Sequence, residues 1–481
     1  MKALISLTVA GMFAISLAHA ENFTQANTEK AKAIVAAAVE AHGGNALLEG
    51  LHTLKIAHET VNYSVDQSRG TEPPWDKSLA SGVDAIDLDN SIFVTRAVNT
   101  GGGFVGETGT IINVEESRQL NYRSGTVAKI AEPDYATASG PFTRVTPALL
   151  LRTLNERIAN AHYLGETKID DHEYDVIGFS MTVGPAISLY FDKETRRLHR
   201  SERVFPGFGL VEYEFKDYED IAGIPFNRNF VLLLNGDVNL ERAIVSVDVN
   251  ESLDDLLLVD TDLETIPELQ PDPMSRQEIA DGVWLIGGSG TYAMFVDMGD
   301  YIFAAGGTAG SPGRIDSLRE VVGDKPIKYS MMTHHHFDHV AAVTDYESEG
   351  ATIIASSAHE KIVRRAAEDG DALSLKTVGD RMTLESGDRR VDIIDIGPTA
   401  HTEHLLVAYL PDEGIMFEAD HFSLPRVGPI PPAVPSTQTF AEALGRQDMK
   451  VMKIVSAHSP RVGTMQDLKA ALEAEVFQAS R

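Results

Sequence analysis

The chain has 481 residues, of which 43% are hydrophobic and 23% are charged. This balance is typical of a globular protein and excludes a disordered or fibrous one, and the length favours two or three domains. The formal net charge of −30 argues against nucleic acid or an anionic membrane surface as a partner. Because the chain has no cysteine, it forms neither disulfides nor thiolate–metal bonds.

The first twenty residues have the pattern of a secretory signal. Lys2 is followed by an apolar run from residue 3 to residue 17, and then by the small residues of Ala18-His19-Ala20. The run is shorter than the roughly 20 residues that a membrane span requires. We therefore predict that residues 1–20 are removed, that no membrane span remains, and that the mature protein is periplasmic or secreted, beginning at Glu21.

Residues 21–262 are predicted to form a mainly antiparallel β domain of the α+β class. A helix is expected from Ala31 to His42, because the two glycines that follow it terminate helices. A second helix is expected from Pro147 to Asn160, between short runs of alternating apolar and polar residues. The runs with the clearest strand pattern are Ser91–Thr95, Ile187–Phe191 and Val211–Phe215.

A change of composition marks the predicted domain boundary. The stretch from Leu263 to Pro273 has three prolines and few large apolar side chains, which is typical of a linker. We place the linker at 263–275 and a second domain at 276–481. In this second part a predicted pair of hairpin strands precedes alternating helices and strands, which indicates an α/β layered fold.

The segment 334–339 has the sequence HHHFDH and directly follows a predicted buried strand at 327–333. In an extended segment alternate side chains point the same way. His334 and His336 can therefore face one metal ion, while His335 faces elsewhere and is expected to be a neighbour of the site.

The chain is then predicted to turn into a helix from about Asp338, which brings Asp338 and His339 towards a second metal position. Imidazole is the commonest protein ligand for zinc-like ions, and a carboxylate supplies an oxygen ligand. The spacing H-x-H-x-D-H thus predicts a site for two metal ions.

This motif resembles the metallo-β-lactamase superfamily, whose members include glyoxalase II enzymes, lactonases and β-lactamases. The resemblance covers about Ile279 to the C-terminus and implies an αββα sandwich. Three further positions fit the family pattern. They are a histidine before a threonine at His401, an aspartate after a short apolar strand at Asp420, and a histidine after another strand at His458.

The resemblance implies two divalent metal ions, for which zinc is the expected element. The first ion would be held by His334, His336 and His401, the second by Asp338, His339 and His458, and Asp420 would bridge both. Two other histidines are rivals for these positions. His404 is a rival of His401, but it begins the apolar run at 405–410, so we expect it near the site and not on the metal. His421 is a rival of Asp420, but a bridge between two cations favours an anion.

By the same resemblance the protein is expected to hydrolyse an ester, lactone, thioester or β-lactam bond of a small molecule, through a hydroxide shared by the two metal ions. Asp338 would be the catalytic residue that orients the hydroxide and moves its proton. Two departures concern the surroundings of the ligands. Residues 305–308 have the sequence AGGT where many relatives carry an acidic residue, and His458 lies in Ala-His-Ser where relatives have Gly-His-Gly.

Two other functions stay open. The N-terminal region, with its Gly-Gly helix stop and antiparallel strands, is similar to the curved sheet of periplasmic lipoprotein carriers. The protein would then bind a lipid or peptide, with a secondary or inactive metal domain. Some members of the metallo-β-lactamase superfamily instead use a single iron for oxygen chemistry. A homo-oligomer is compatible with all three functions.

Overall fold

The computed structural model describes residues 23–205 and 209–478, so the predicted signal at 1–20 lies outside the described residues. These described residues form one sheet of 14 strands, followed by two sheets of seven and five strands. Among the helices in the described ranges, none combines the length and the apolar character that a membrane crossing requires.

The large sheet belongs to the N-terminal region. Its strands are β1 (Thr53–Asn62), β2 (Ser78–Asp87), β3 (Ile92–Gly101), β4 (Phe104–Ile112), β5 (Arg118–Asn121), β6 (Thr126–Ile130), β7 (His162–Ile169), β8 (His172–Phe179), β9 (Ile187–Asp192), β10 (Leu198–Phe205), β11 (Gly209–Ile221), β12 (Ile224–Leu234), β13 (Asp237–Val249) and β14 (Glu264–Leu269). The helices are α1 (23–41), α2 (Asn45–Glu49), α3 (Tyr135–Arg144), α4 (Pro147–Glu156) and α5 (Asp254–Leu257). The order across the sheet is β14-β6-β5-β4-β3-β2-β1-β13-β12-β11-β10-β9-β8-β7, and only the β14–β6 pair is parallel. The predicted, mainly antiparallel N-terminal domain is confirmed.

One face of this sheet is covered by its own helices. In β1, Leu54 and Ile56 point to this face and pack with apolar residues of α1, α3 and α4, because alternate residues of a strand share a face. The opposite face lines two open grooves of about 750 and 950 Å³. The apolar face of the sheet is therefore filled by the protein itself.

The linker predicted at 263–275 contains a strand, β14, which forms the edge of the large sheet. Pro267 is tolerated there because an edge strand needs backbone hydrogen bonds on one side only. Strand β15 already begins at Ser275. The stretch without helix or strand is consequently only 270–274, shorter than predicted.

The second region contains two facing sheets with helices outside them. Its strands are β15 (Ser275–Ala280), β16 (Val283–Gly288), β17 (Thr291–Asp297), β18 (Ile302–Ala305), β19 (Ile327–Met331), β20 (Thr352–Ser356), β21 (Leu375–Val378), β22 (Arg381–Ser386), β23 (Arg389–Asp395), β24 (Leu406–Leu410), β25 (Ile415–Glu418) and β26 (Lys453–Ser456). Its helices are α6 (Ser311–Val322), α7 (Phe337–Val340), α8 (Val343–Ser348), α9 (Glu360–Ala366), α10 (Pro435–Gly445) and α11 (Met465–Glu473). Strands β15–β21 form one sheet and β22–β26 the other.

Alternation within the strands builds three layers of core. In β16, Val283 and Leu285 pack between the two sheets, whereas Ile286 packs against helices α6, α8 and α9. On the second sheet Phe417 points inward, and Met416 packs against α10 and α11. The central strands β16, β18, β24 and β25 are buried along their whole length, whereas the edge strands β15, β21 and β22 are partly exposed. Two sheets packed face to face with helices on both outer sides confirm the predicted αββα sandwich.

The first testable prediction concerns His42, which directly follows α1 and is fully buried. Its Nδ1 donates to the carbonyl of Ala38 at 2.8 Å, its Nε2 has no hydrogen-bond partner, and its ring contacts Tyr218 edge-on. Burial lowers the pKa of His42 from 6.5 to about 4. The neutral ring therefore stabilises the fold fully above pH 6.5, and this contribution is lost as the pH falls towards 4.

The unfolding free energy of the wild type should fall between pH 7.5 and pH 4.5. We expect this fall to be about 2–3 kcal/mol smaller in His42→Gln. Urea unfolding at the two pH values measures this difference. The exposed His162 provides a control, since His162→Gln should keep the wild-type pH dependence. An unchanged pH dependence in His42→Gln would contradict the assignment.

Candidate metal centre

The predicted ligands all lie in segments that follow strands of the sandwich. His334 and His336 follow β19, His401 lies between β23 and β24, Asp420 follows β25, and His458 follows β26. Strands of the two sheets end at the same edge of the sandwich, and the side chains converge there.

The seven predicted ligands come together as two groups whose ligand atoms lie within 4.8 Å of one another. One group contains His334, His336, His401 and Asp420, and the other contains Asp338, His339 and His458. This division matches the roles predicted from the sequence. That each of these residues binds metal stays a prediction. The geometry shows which of them lie close enough to share one ion.

Asp420 lies between the two groups. Its Oδ2 is 3.2 Å from His334 Nε2, 3.1 Å from His401 Nε2 and 2.8 Å from His339 Nε2. Its Oδ1 is 2.9 Å from His458 Nε2. Asp420 has a φ of +66°, a conformation that costs free energy for a non-glycine residue and is common at functional sites.

The charges of the cluster are strongly coupled. Burial disfavours charge on Asp420, but the neighbouring histidines outweigh this effect and hold its pKa well below 3.8. Burial also lowers the pKa of His339, yet Asp420 and Asp338 outweigh it and raise that pKa above 6.5. Burial likewise raises the pKa of Asp338, but His339 and Gln67 bring it below 3.8. The two carboxylates are therefore ionised at neutral pH, as metal ligands must be.

In three of the histidine rings, one ring N–H donates a hydrogen bond to a backbone carbonyl oxygen. The pairs are His336 Nε2 with Ser68 at 2.9 Å, His401 Nδ1 with Gly102 at 2.8 Å, and His458 Nδ1 with Gly290 at 3.1 Å. A carbonyl only accepts, so this nitrogen carries the proton and the other keeps its lone pair. Metal-binding histidines in proteins usually have this arrangement.

Three ring nitrogens of the described ligand histidines are buried without a hydrogen-bond partner: His334 Nε2 and His336 Nδ1 in the first group, and His339 Nδ1 in the second. Leaving such atoms unsatisfied is costly, and a cation bound by the two nitrogens of the first group would remove that cost there. The second group is more open, with 40% of the Asp338 side chain and 28% of the His458 side chain exposed. The residues present therefore fit two metal ions, the second of them accessible from solvent.

Comparison with known proteins agrees with this geometry. The family model described as "Metallo-beta-lactamase superfamily" matches residues 305–458. These residues form a metallo-beta-lactamase superfamily domain. The match confirms the resemblance predicted from the motif, and the fold implies divalent metal binding. The resemblance of the N-terminal region to lipoprotein carriers stays a prediction.

A curated relative is the 2,4-dinitroanisole O-demethylase subunit alpha of Nocardioides sp. (strain JS1661), which is 26% identical over 161 residues. The match covers 32% of this chain and 48% of the relative, so it spans about half of that protein. Similar solved structures include a metallo-beta-lactamase from Pontibacter korlensis, 16% identical with a TM-score of 0.33, covering 42% of this chain and 97% of that one. A flavodiiron protein from Giardia intestinalis is 16% identical with a TM-score of 0.32, covering 42% and 58%.

The rival residues lie beside the metallo-beta-lactamase site and not in either ligand group. His404 Nδ1 pairs with Asp395 Oδ2 at 2.8 Å. His421 uses both nitrogens, at 2.6 Å from Ala419 O and 2.8 Å from Thr399 Oγ1. With both nitrogens occupied, His421 has no free lone pair to offer an ion, which favours Asp420 as the bridge.

His335 also lies outside both ligand groups. It is fully buried, and its ring centroid is 4.8 Å from those of His336 and His359. This placement agrees with its predicted position beside the site.

A cavity of about 370 Å³ adjoins the site and reaches Asp420 and His458. Its walls are mainly apolar and come from both regions of the chain, with Phe104 on one side and Phe422 and Leu424 on the other. Arg123 also lines it, donating to the carbonyl of Ala433 at 2.7 Å. The space beside the second ligand group can therefore accept a small molecule with an apolar body.

No pattern in the sequence indicated the residues that support the ligands from the N-terminal region. Gln67, Ser68 and Gly102 are more than 200 positions from the metal motif, and two of them contribute only a backbone carbonyl. A carbonyl has no side-chain signature. The one usable signal was the triple glycine at 101–103, which indicates a close approach of backbone to another part of the chain.

Proposed function

We propose that the protein is an exported, binuclear metal-dependent hydrolase that acts on an ester, lactone, thioester or β-lactam bond of a small molecule. The proposal rests on one observation, the two adjacent ligand groups with Asp420 between them. Five of the seven proposed ligands are histidines, which suit zinc and disfavour magnesium and calcium, and zinc is the proposed element. Periplasmic or secreted localisation is proposed from the signal pattern alone.

When bound by these residues, two divalent ions would lower the pKa of a water molecule and polarise the carbonyl oxygen of a substrate. The chain contributes orientation and proton movement. Asp338, a member of the second group, is partly exposed and ionised, and it would accept a proton from an attacking water. The buried first group excludes solvent from its side of the site.

A second candidate reaction comes from the name of the curated relative, an O-demethylase of an aromatic ether. The apolar wall formed by Phe104, Phe422 and Leu424 suits an aromatic ring next to the metal site. An aryl methyl ether therefore belongs in any substrate panel.

The carrier alternative is less well supported by the geometry. The apolar face of the large sheet is covered by α1, α3 and α4. The groove on its other face is lined by charged residues as well as apolar ones, among them Glu59, Lys216 and Glu241. The mononuclear iron alternative leaves the second ligand group without a role.

The decisive experiment measures metal content together with turnover. We expect close to two zinc ions per chain, and hydrolysis of at least one of an ester, lactone, thioester, β-lactam or aryl ether panel that stops on chelation and returns with zinc. Identical protein treated with chelator and reconstituted with magnesium is the control, since the histidine-rich groups disfavour that hard ion. A protein that holds a single iron and consumes oxygen would overturn the proposal.

A further inference from the structure

We propose that the N-terminal domain completes the metal centre, and that its Gln67 is a positioning residue for Asp338. The inference rests on the proposed metal site, but it concerns residues of this chain outside the metallo-beta-lactamase domain. Two segments carry it, the β1–β2 loop (residues 63–77) and the β3–β4 turn (residues 101–104).

The β1–β2 loop is attached to the catalytic domain along its length by hydrogen bonds and ion pairs. Its contacts are Asp66 O with Phe337 N at 3.3 Å, Asp66 Oδ1 with Arg365 at 2.8 Å, Gln67 Nε2 with Asp338 Oδ1 at 2.7 Å, Ser68 O with His336 at 2.9 Å, Arg69 O with Glu403 N at 3.0 Å, and Glu72 with Lys361 at 2.6 Å. Three of these partners, residues 336–338, belong to the metal motif. The loop is thus fixed against the motif itself.

The loop also holds its own shape. The backbone N–H of Gln67 donates to Ser64 O at 2.9 Å, and the Ser68 hydroxyl accepts from the N–H of Asp76 at 2.7 Å. Asp66 has a φ of +54°. A loop ordered from both sides places the Gln67 amide at a defined point above Asp338.

The contact between Gln67 and Asp338 fixes one carboxylate oxygen and leaves the other directed inward. A carboxylate only accepts hydrogen bonds, so the Gln67 amide nitrogen must face Asp338 Oδ1. Asp338 Oδ2 is then 3.3 Å from His339 Nε2, inside the second ligand group. Because 40% of the Asp338 side chain is exposed, its carboxylate would otherwise sample several rotamers.

The β3–β4 turn supports the first ligand group in a similar way. Gly102 O accepts from His401 Nδ1 at 2.8 Å, and the Phe104 ring lies edge-on to His401 with centroids 5.1 Å apart. A side chain at Gly103, where φ is +82°, would come within 3.1 Å of the Ala400 backbone. Only glycine allows the turn to come this close, so the N-terminal domain contributes to both ligand groups.

The test is zinc binding by metal-free wild type, Gln67→Ala and Gln67→Glu, measured by competition with a chromophoric chelator and by elemental analysis. Loss of a supporting partner typically costs about 10–100-fold in metal affinity. We expect Gln67→Ala to weaken the second zinc by about 10-fold and Gln67→Glu by about 100-fold, because the latter places a second carboxylate against Asp338. The first zinc should bind as in the wild type.

Gln119→Ala is the matched control, since Gln119 is a half-buried glutamine of the same sheet that donates to Gly109 O, away from the metal motif. All variants should keep the wild-type fold, and kcat should fall in the Gln67 variants while KM stays constant. Wild-type affinity for both zinc ions in both Gln67 variants would overturn the inference. A wild type that binds two zinc ions but hydrolyses none of the substrates would contradict the proposed function. The zinc affinities of the Gln67 variants would still decide whether Gln67 positions Asp338.

Discussion

Asp420→Ala is expected to lose both metal ions and nearly all turnover. Its two oxygens contact four of the five histidines in the ligand groups, at 2.8 to 3.2 Å. Removing it takes away a ligand from each ion and the group that sets their separation. Metal content should fall from near two to below one per chain, and kcat by at least about 100-fold, the upper end for loss of a supporting partner.

The same change should destabilise the metal-free protein. There Asp420 balances the positive charge of His339, and breaking a buried pair by removing one member costs about 3–5 kcal/mol. Because the pKa of His339 is raised in the folded protein, its protonated ring stabilises the fold fully below pH 6.5. This stabilisation is lost as the pH rises through about 10. Because the pKa of Asp420 is lowered in the folded protein, its ionised carboxylate stabilises the fold above pH 3.8. This stabilisation is lost as the pH falls further below 3.8. The unfolding free energies of metal-free wild type and metal-free Asp420→Ala, measured with urea, should therefore differ most between pH 3.8 and pH 6.5.

Asp392→Ala is the control for loss of a buried carboxylate. Asp392 lies on β23 and pairs with Arg390 at 3.0 Å, outside both ligand groups. It should lower stability but leave metal content unchanged. If Asp420→Ala kept two ions per chain, the bridging role would be wrong.

Asp338→Ala is expected to empty the second metal position while the first stays occupied. The first group keeps His334, His336, His401 and Asp420, so one ion should remain, while the second group keeps only two histidines and the bridge. Turnover should fall by at least about 100-fold, because the change removes a ligand and the group that orients the nucleophile. Metal analysis should therefore give close to one zinc per chain, with no measurable hydrolysis.

His335→Ala provides the contrast from the same motif. Its ring is buried between His336 and His359 and belongs to neither ligand group, so its loss creates a cavity without removing a ligand. We expect a stability cost of about 1–3 kcal/mol with metal content near two and most of the activity retained. Full hydrolysis by Asp338→Ala, or an inactive and metal-depleted His335→Ala, would contradict the assignment.

The sequence by itself determined the catalytic fold and the candidate ligands. His334, Asp420 and His458 come within three residues of the end of an apolar strand. The H-x-H-x-D-H spacing links local geometry to metal chemistry within six residues. His335 and His404 were also placed outside the ligand sets from the sequence, because strand alternation and a following apolar run are local features. Three strands and two helices of the N-terminal region, at β3, β9, β11, α1 and α4, were predicted for the same reason, although β14 was taken for part of a linker. An edge strand with a proline lacks the apolar alternation that identifies strands.

Only the tertiary structure decided which residues support the ligands and what surrounds the substrate. Gln67, Ser68 and Gly102 reach the site across 268 to 299 positions of chain, a separation at which periodicity and spacing carry no information. Two of the three act through backbone carbonyls, which every residue possesses. Whether a given carbonyl meets a histidine nitrogen depends on how the N-terminal sheet packs on the sandwich, and that packing is a property of the whole chain.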